Sequence, residues 1–136
     1  MDLMKSIKIS AAGMHVQGVR LKVIAENLAN ADSLASVKGG DPYRRKVVSF
    51  QNVLDRKLGA ELVKVKNVDL DQSEFRKQFD ANHPAADADG YVKLPNVNPL
   101  VELMDMREAQ RSYEANLRII DVSRNMLSRT IDLLRN

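Results

Sequence analysis

The chain has no cysteine at any of its 136 positions, which excludes disulfides, thiolate-held metals and a thiol nucleophile. Tryptophan is also absent and aromatic residues make up only 4%, so aliphatic side chains and alanine must fill the core. No uncharged apolar run approaches the ~20 residues that span a bilayer, so membrane insertion is not expected. Charges at Asp2, Lys5 and Lys8 interrupt the apolar stretch that a cleaved signal peptide requires. No block of one charge sign stands out either. Residues 1–30 carry four basic and two acidic groups, residues 31–98 eleven and ten, and residues 99–136 six and six. A polyanion partner leaves a concentrated basic patch, so the mixed surface argues against nucleic acid despite a net charge of +3.

What is present is helical periodicity at both ends. Residues 3–30 contain no proline, and Met4, Ile7, Ala11, Met14, Gly18, Leu21, Ala25 and Leu28 recur at steps of three and four, a heptad seam. A second series, Ile9, Ala12, Val16, Val19 and Val23, follows the same rhythm about 200° around the helix. Residues 99–136 repeat the design, with Leu103, Met106, Gln110, Tyr113, Leu117, Ile120, Arg124, Leu127, Ile131 and Leu134 on one seam and Ala115, Ile119, Val122, Met126 and Leu133 on another. Asn98 before Pro99 reads as an N-cap with proline at the first helical position.

A helix in a small monomer needs one apolar stripe, because its other side meets water. Pairing the two terminal helices covers one stripe on each and leaves the second for other chains. The expected intrachain seam is therefore Ile7, Met14, Leu21, Leu28, Leu103, Met106, Tyr113, Leu117, Ile120 and Leu127. The expected subunit interface is Val16, Val19, Val23, Ala115, Ile119, Val122 and Met126. Asn27, Asn30, Asn98, Gln110, Asn116 and Arg124 are candidates for fixing register and turns, as buried polar positions do in coiled coils. Gly13 and Gly18 each cost ~1 kcal/mol relative to alanine inside a helix, which close approach of another backbone justifies.

Between the helices, residues 46–54 and 62–66 read as short strands, with a change of phase near Asn67, while residues 82–99 are rich in Pro, Asn and Asp and read as extended irregular chain. The fold class expected is mainly α, with long N- and C-terminal helices paired as a coiled-coil-like hairpin and a small β-rich central insert. Residues 1–30 plus 99–136 would form the helical core domain and residues 31–98 the insert.

No constellation in the chain points to catalysis, a cofactor or a metal. His15 reads as a helix-surface residue and His83 as a loop residue. Aligning Gly90 of Asp87-Ala88-Asp89-Gly90 with the sixth position of a calcium loop puts Ala85 first and Asn96 twelfth, so the required carboxylates are missing. Arg44-Arg45-Lys46 beside Tyr43 reads as a strand edge protected by charge rather than as a phosphate grip.

Ser10-Ala11-Ala12-Gly13-Met14 followed by Ala25-Glu26-Asn27-Leu28-Ala29-Asn30-Ala31 resembles the N-terminal signature of the flagellar rod and hook axial proteins. His83-Pro84-Ala85-Ala86-Asp87, Gly90-Tyr91-Val92, Leu94-Pro95-Asn96-Val97-Asn98 and Arg111-Ser112-Tyr113-Glu114-Ala115-Asn116 resemble the proximal-rod members of that family. The resemblance implies a non-enzymatic structural subunit without cofactors, self-assembling through its terminal helices into a hollow shaft that transmits torque and lines an export channel. It implies as partners copies of itself, other rod proteins, basal-body ring and export-gate components and the flagellar type III apparatus, and a final place in the periplasmic rod. A closed coiled-coil adaptor and another rod or hook paralogue are the alternatives; a hydrolase using Asp87 or Asp89 has little support.

Overall fold

A computed structural model of the chain describes residues 2–135. Helix α1 runs Leu3–Ala29, strand β1 Lys46–Asp55, β2 Ala60–Leu70, β3 Arg76–Phe79, β4 Tyr91–Leu94 and helix α2 Pro99–Arg135. Asp2 caps α1, its Oδ1 accepting from the amides of Met4 at 3.1 Å and Lys5 at 3.3 Å. Asn30 closes the other end, donating Nδ2 to the Glu26 carbonyl at 2.8 Å and accepting from the Ser33 hydroxyl at 3.2 Å. At the head of α2 the Asn98 Oδ1 accepts from the Leu100 amide at 3.1 Å, the cap that the Asn98-Pro99 pair predicts.

β1 and β2 form a two-stranded antiparallel sheet. Their link is tight because Asp55 Oδ1 accepts from the amides of Lys57 and Leu58, the Gly59 amide donates to the Asp55 carbonyl at 2.8 Å, and Gly59 sits at φ 63. The second sheet pairs β3 with β4 antiparallel, with Lys77 opposite Lys93 and Phe79 opposite Tyr91. Gly90 precedes β4 at φ 84, and a Cβ there would come within 2.9 Å of the Phe79 ring.

The mainly α expectation needs correction. The described residues are 48% helix and 22% strand, with two separate sheets rather than one small insert. Residues 82–99, expected as irregular chain, contain β4, and β2 runs past the phase change at Asn67 as far as Leu70. Ladder hydrogen bonds hold these strands whether or not their side chains alternate, and Val68 and Leu70 are left exposed as a result.

The chain divides into two compact units along a line that differs from the expected boundary between helices and insert. Unit 1 comprises residues 1–21, 48–67 and 107–136, and unit 2 residues 22–47 and 68–106. In unit 2, Ala85, Ala86 and Val92 form a buried cluster with Leu34 and Ala35 against it, and Val23, Ile24, Ala31 and Val97 are buried as well. In unit 1 the buried residues are Ser10, Val16, Leu58, Ala109 and Ser123.

Candidate functional site: a buried polar junction and the helix faces

Asn27 is 1% exposed and uses its full hydrogen-bonding capacity. Its Nδ2 donates to the Lys46 carbonyl at 2.9 Å and to Glu102 Oε2 at 3.1 Å. Its Oδ1 accepts from the Lys46 amide at 2.9 Å and from the Tyr43 hydroxyl at 2.9 Å. The side-chain amide thus pairs with the backbone N–H and C=O of Lys46, the first residue of β1, as a neighbouring strand would. Glu102, also 1% exposed, accepts from Arg45 Nε at 2.5 Å on its other oxygen. Arg45 further faces Asp71 at 3.5 Å and Asp105 at 3.8 Å, and its amide donates to Asn96 Oδ1 at 2.8 Å. Asn96 in turn donates Nδ2 to the Asp71 carbonyl at 3.0 Å. Two helical segments, the entry to β1 and the segments after β2 and β4 are therefore tied at one node of unit 2.

Electrostatics around the node favour the charged forms of its outer members. The Ser73 amide and hydroxyl, and then Arg45, hold the Asp71 carboxyl below its ordinary range. Lys46 bonds Glu26 at 2.9 Å, which lowers the Glu26 carboxyl and raises the Lys46 ammonium. Burial pushes the Tyr43 phenol up. Arg44 does not join the node; its guanidinium stacks 4.2 Å from the Phe75 ring centre and donates to the Asp71 and Ser73 carbonyls. The strand-edge reading of residues 43–46 misses that Tyr43 and Arg45 turn inward.

In unit 1 the helical segments run antiparallel: Leu3 and Ser6 share a hollow of about 320 Å³ with Ser123 and Met126, Gly13 faces Asn116, and Arg20 reaches Glu108 at 3.5 Å. A Cβ on Gly13 would stand 2.9 Å from the Asn116 amide nitrogen, so the close approach that the glycine permits is to a side chain of α2. Gly18 has nothing within 4 Å of where its Cβ would be.

The contacting line lies one residue before the expected seam. On α2 it is Glu102, Ala109, Asn116 and Ser123, at steps of seven, where the aliphatic pattern pointed to Leu103, Gln110, Leu117 and Arg124. Leu103 and Leu117 are 48% and 41% exposed, and Gln110 and Arg124 are exposed too. Ile7, Met14, Leu21, Leu28, Met106, Tyr113, Ile120 and Leu127 are half-buried. Of the expected subunit interface, Val16 and Val23 are instead buried within the chain, at 2% and 6%, and Val19 is half-buried. Ala115, Ile119, Val122 and Met126 stay exposed. Small and polar residues win the contact because they let two backbones approach closely, a signal visible as Ser6, Gly13 and Asn27 on one heptad line and Ala109, Asn116 and Ser123 on another.

Among the described residues, the two histidines and the acids singled out from the sequence do not form a catalytic arrangement. His83 Nδ1 accepts from the Ala85 amide at 3.1 Å, and Asp87 Oδ1 accepts from the Asp89 and Tyr91 amides, so both side chains serve turns. Among the described residues no cluster of His, Cys, Asp or Glu could hold a metal, and no helix is long and apolar enough to cross a membrane.

A long α2 with a patterned outer face matches a known class. Residues 88–133 match the family model for the C-terminal region of flagellar basal body rod FlgEFG proteins. Over 128 residues the chain is 50% identical to the flagellar basal-body rod protein FlgC of Agrobacterium fabrum, covering 94% of this chain and 92% of that protein. The FlgC proteins of Aquifex aeolicus and Salmonella typhimurium are each 38% identical, over 97% of both chains and 98% of both chains respectively. The chain belongs to the FlgC family of flagellar basal-body rod proteins, a structural family of the motility apparatus.

Proposed function

We propose that the chain self-assembles, with other rod proteins, into a hollow helical rod that transmits torque and lines an export channel. Ile119, Val122 and Met126 carry this reading: they lie on one side of α2, are about half exposed, and edge an apolar hollow that no described residue fills. Heterologous contacts that repeat without closing generate a tube, and stiffness rather than chemistry is what such a tube requires. Export through the flagellar type III apparatus without signal cleavage, contact with ring and export-gate components, and a periplasmic position complete the proposal by analogy with the family.

Val122→Asp tests it. The charge meets water in the free chain but is buried on assembly, so the variant should be expressed and exported yet be missing from isolated basal bodies. Normal incorporation would remove this face from the assembly. Electron microscopy of the purified chain distinguishes an open filament from a closed oligomeric ring, and the ring would contradict the proposal.

A further inference from the structure

This inference rests on the assembly just proposed and names the two faces that meet in it. On α1, Lys8, His15 and Lys22 follow at steps of seven, and Ala11, Gly18 and Ala25 follow at the same step between them. Spacings of three and four place all six on one stripe. That stripe lies about half a turn around the helix from Gly13 and its Asn116 contact. Apart from half-buried Gly18 its members are exposed, and a Cβ built on Gly18 would meet nothing within 4 Å, so the stripe is open there.

α2 carries a stripe of the opposite character. Glu114, Leu117, Asp121, Arg124 and Ile131 fall on one side at the same rhythm, with Leu117 41% and Ile131 54% exposed. Among the described residues neither Glu114 nor Asp121 has an ion-pair partner. We propose that the α1 stripe of one copy receives the α2 stripe of a second copy, antiparallel, with Leu117 seated over Gly18. The remaining pairs then follow by counting. Ile131 lies fourteen residues after Leu117, and Met4, itself 52% exposed, lies fourteen before Gly18, so the two meet. Glu114 falls opposite Leu21 and reaches Lys22 one position on, Asp121 falls opposite Met14 and reaches His15 one position on, and Arg124 falls on Ala11, a small residue.

Charge selects a second copy as the occupant. Glu114, Asp121 and two large aliphatics on one face answer Lys22, His15 and small residues on the other, with Arg124 set over Ala11, whereas α1 against α1 would set lysine beside lysine. An α1 to α2 contact between copies also repeats the antiparallel sense found within unit 1, so the copies stay parallel. The contact is then heterologous and passes from copy to copy.

The absence of cysteine makes the test direct. Gly18→Cys and Leu117→Cys, carried on separate chains, are co-expressed, and isolated basal bodies are treated with a short thiol cross-linker. The expected product is a species of twice the 15.3 kDa chain, formed from the mixture and from neither variant alone. Both chains present in basal bodies without that product would overturn the pairing and mean that another protein covers these faces, while leaving the rod assembly itself intact. Absence of even the wild-type chain from basal bodies would overturn the assembly. If the cysteines prevent incorporation, charge exchange decides: Lys22→Glu or Glu114→Lys alone should lower incorporation several-fold, and both in one chain should restore most of it. No recovery in the double variant would also overturn the pairing.

Discussion

The two units bury different kinds of residue, and the difference separates what the chain holds together from what it leaves to others. Unit 2 has an apolar cluster of Ala85, Ala86 and Val92 and a polar node in which Asn27 and Glu102 are each 1% exposed and fully bonded. Unit 1 buries Val16 and Leu58, and otherwise small or polar side chains: Ser10, Ala109 and Ser123. Small residues bring helices close but remove little apolar surface from water, at roughly 25 cal/mol per Å². Most of the large aliphatics of α2 in unit 1, Leu117, Ile119, Val122, Met126 and Ile131, face outward. The polar groups of the unit 2 node are paired within the chain, whereas the outward aliphatics of unit 1 are the surface that the proposed assembly would cover.

The comparison breaks most sharply at Asn27. Asn27→Ala strips partners from the Lys46 peptide, the Tyr43 hydroxyl and Glu102 at once. At 1 to 3 kcal/mol for each buried polar group left unpaired, with some relaxation, a loss of about 3 kcal/mol is expected in urea unfolding of unit 2. A loss under about 1 kcal/mol would show that the node is not what holds that unit. Gly13→Leu attacks the other unit by driving a side chain into Asn116, for a cost of about 2 kcal/mol. Its effect should appear in rod assembly, with little change in the unfolding of unit 2. A smaller effect, about 1 kcal/mol, is expected from Asn98→Ala, which removes the cap of α2; circular dichroism would register the fraying.

Acidity sharpens the contrast with no mutation. Asp71 and Glu26 are depressed below their ordinary values of 3.8 and 4.5, so the stability they contribute is present above those values and lost as pH falls through the lower folded ones. Tyr43 and Lys46 are raised above 10.0 and 10.5, so their contribution is present below those values and lost as pH rises past them. Unit 2 should therefore lose stability as pH falls below the ordinary carboxyl values of 3.8 and 4.5 and as it rises past 10.0 and 10.5, with a plateau between. Thermal melts across pH would check this, and a melting temperature flat from pH 2 to pH 6 would contradict it.

Much of the fold was legible from spacing and turn chemistry, because helix caps and heptads are local. Asn98-Pro99 marked the start of α2, and the apolar rhythm marked both helices. Which face each helix turns inward was not legible from hydrophobicity. The residues that let helices touch are Ser, Gly, Ala and Asn, and the large aliphatics one position later drew the seam to themselves. The node was visible only in Asn27, which stood out with Asn30 and Asn98, two residues that close helix ends instead. Tyr43, Arg45 and Glu102 did not, since they meet only through contacts between segments far apart in sequence. Strand β4 was hidden by the turn residues that surround it, and it forms because β3 offers a ladder.

On the assembly proposed above, unit 2 would be folded in the free chain and unit 1 ordered by neighbouring subunits, with the boundary falling inside both helices. Isolated helical segments are marginal in water, and the exposed aliphatics of α2 have no cover in a dilute monomer. Hydrogen exchange on verified monomer at neutral pH reads this directly. Slow exchange is expected in residues 22–29, 91–94 and 99–106, and fast exchange in residues 3–21 and 107–135. Equal, strong protection along the whole of α1 and α2 in the monomer would contradict it.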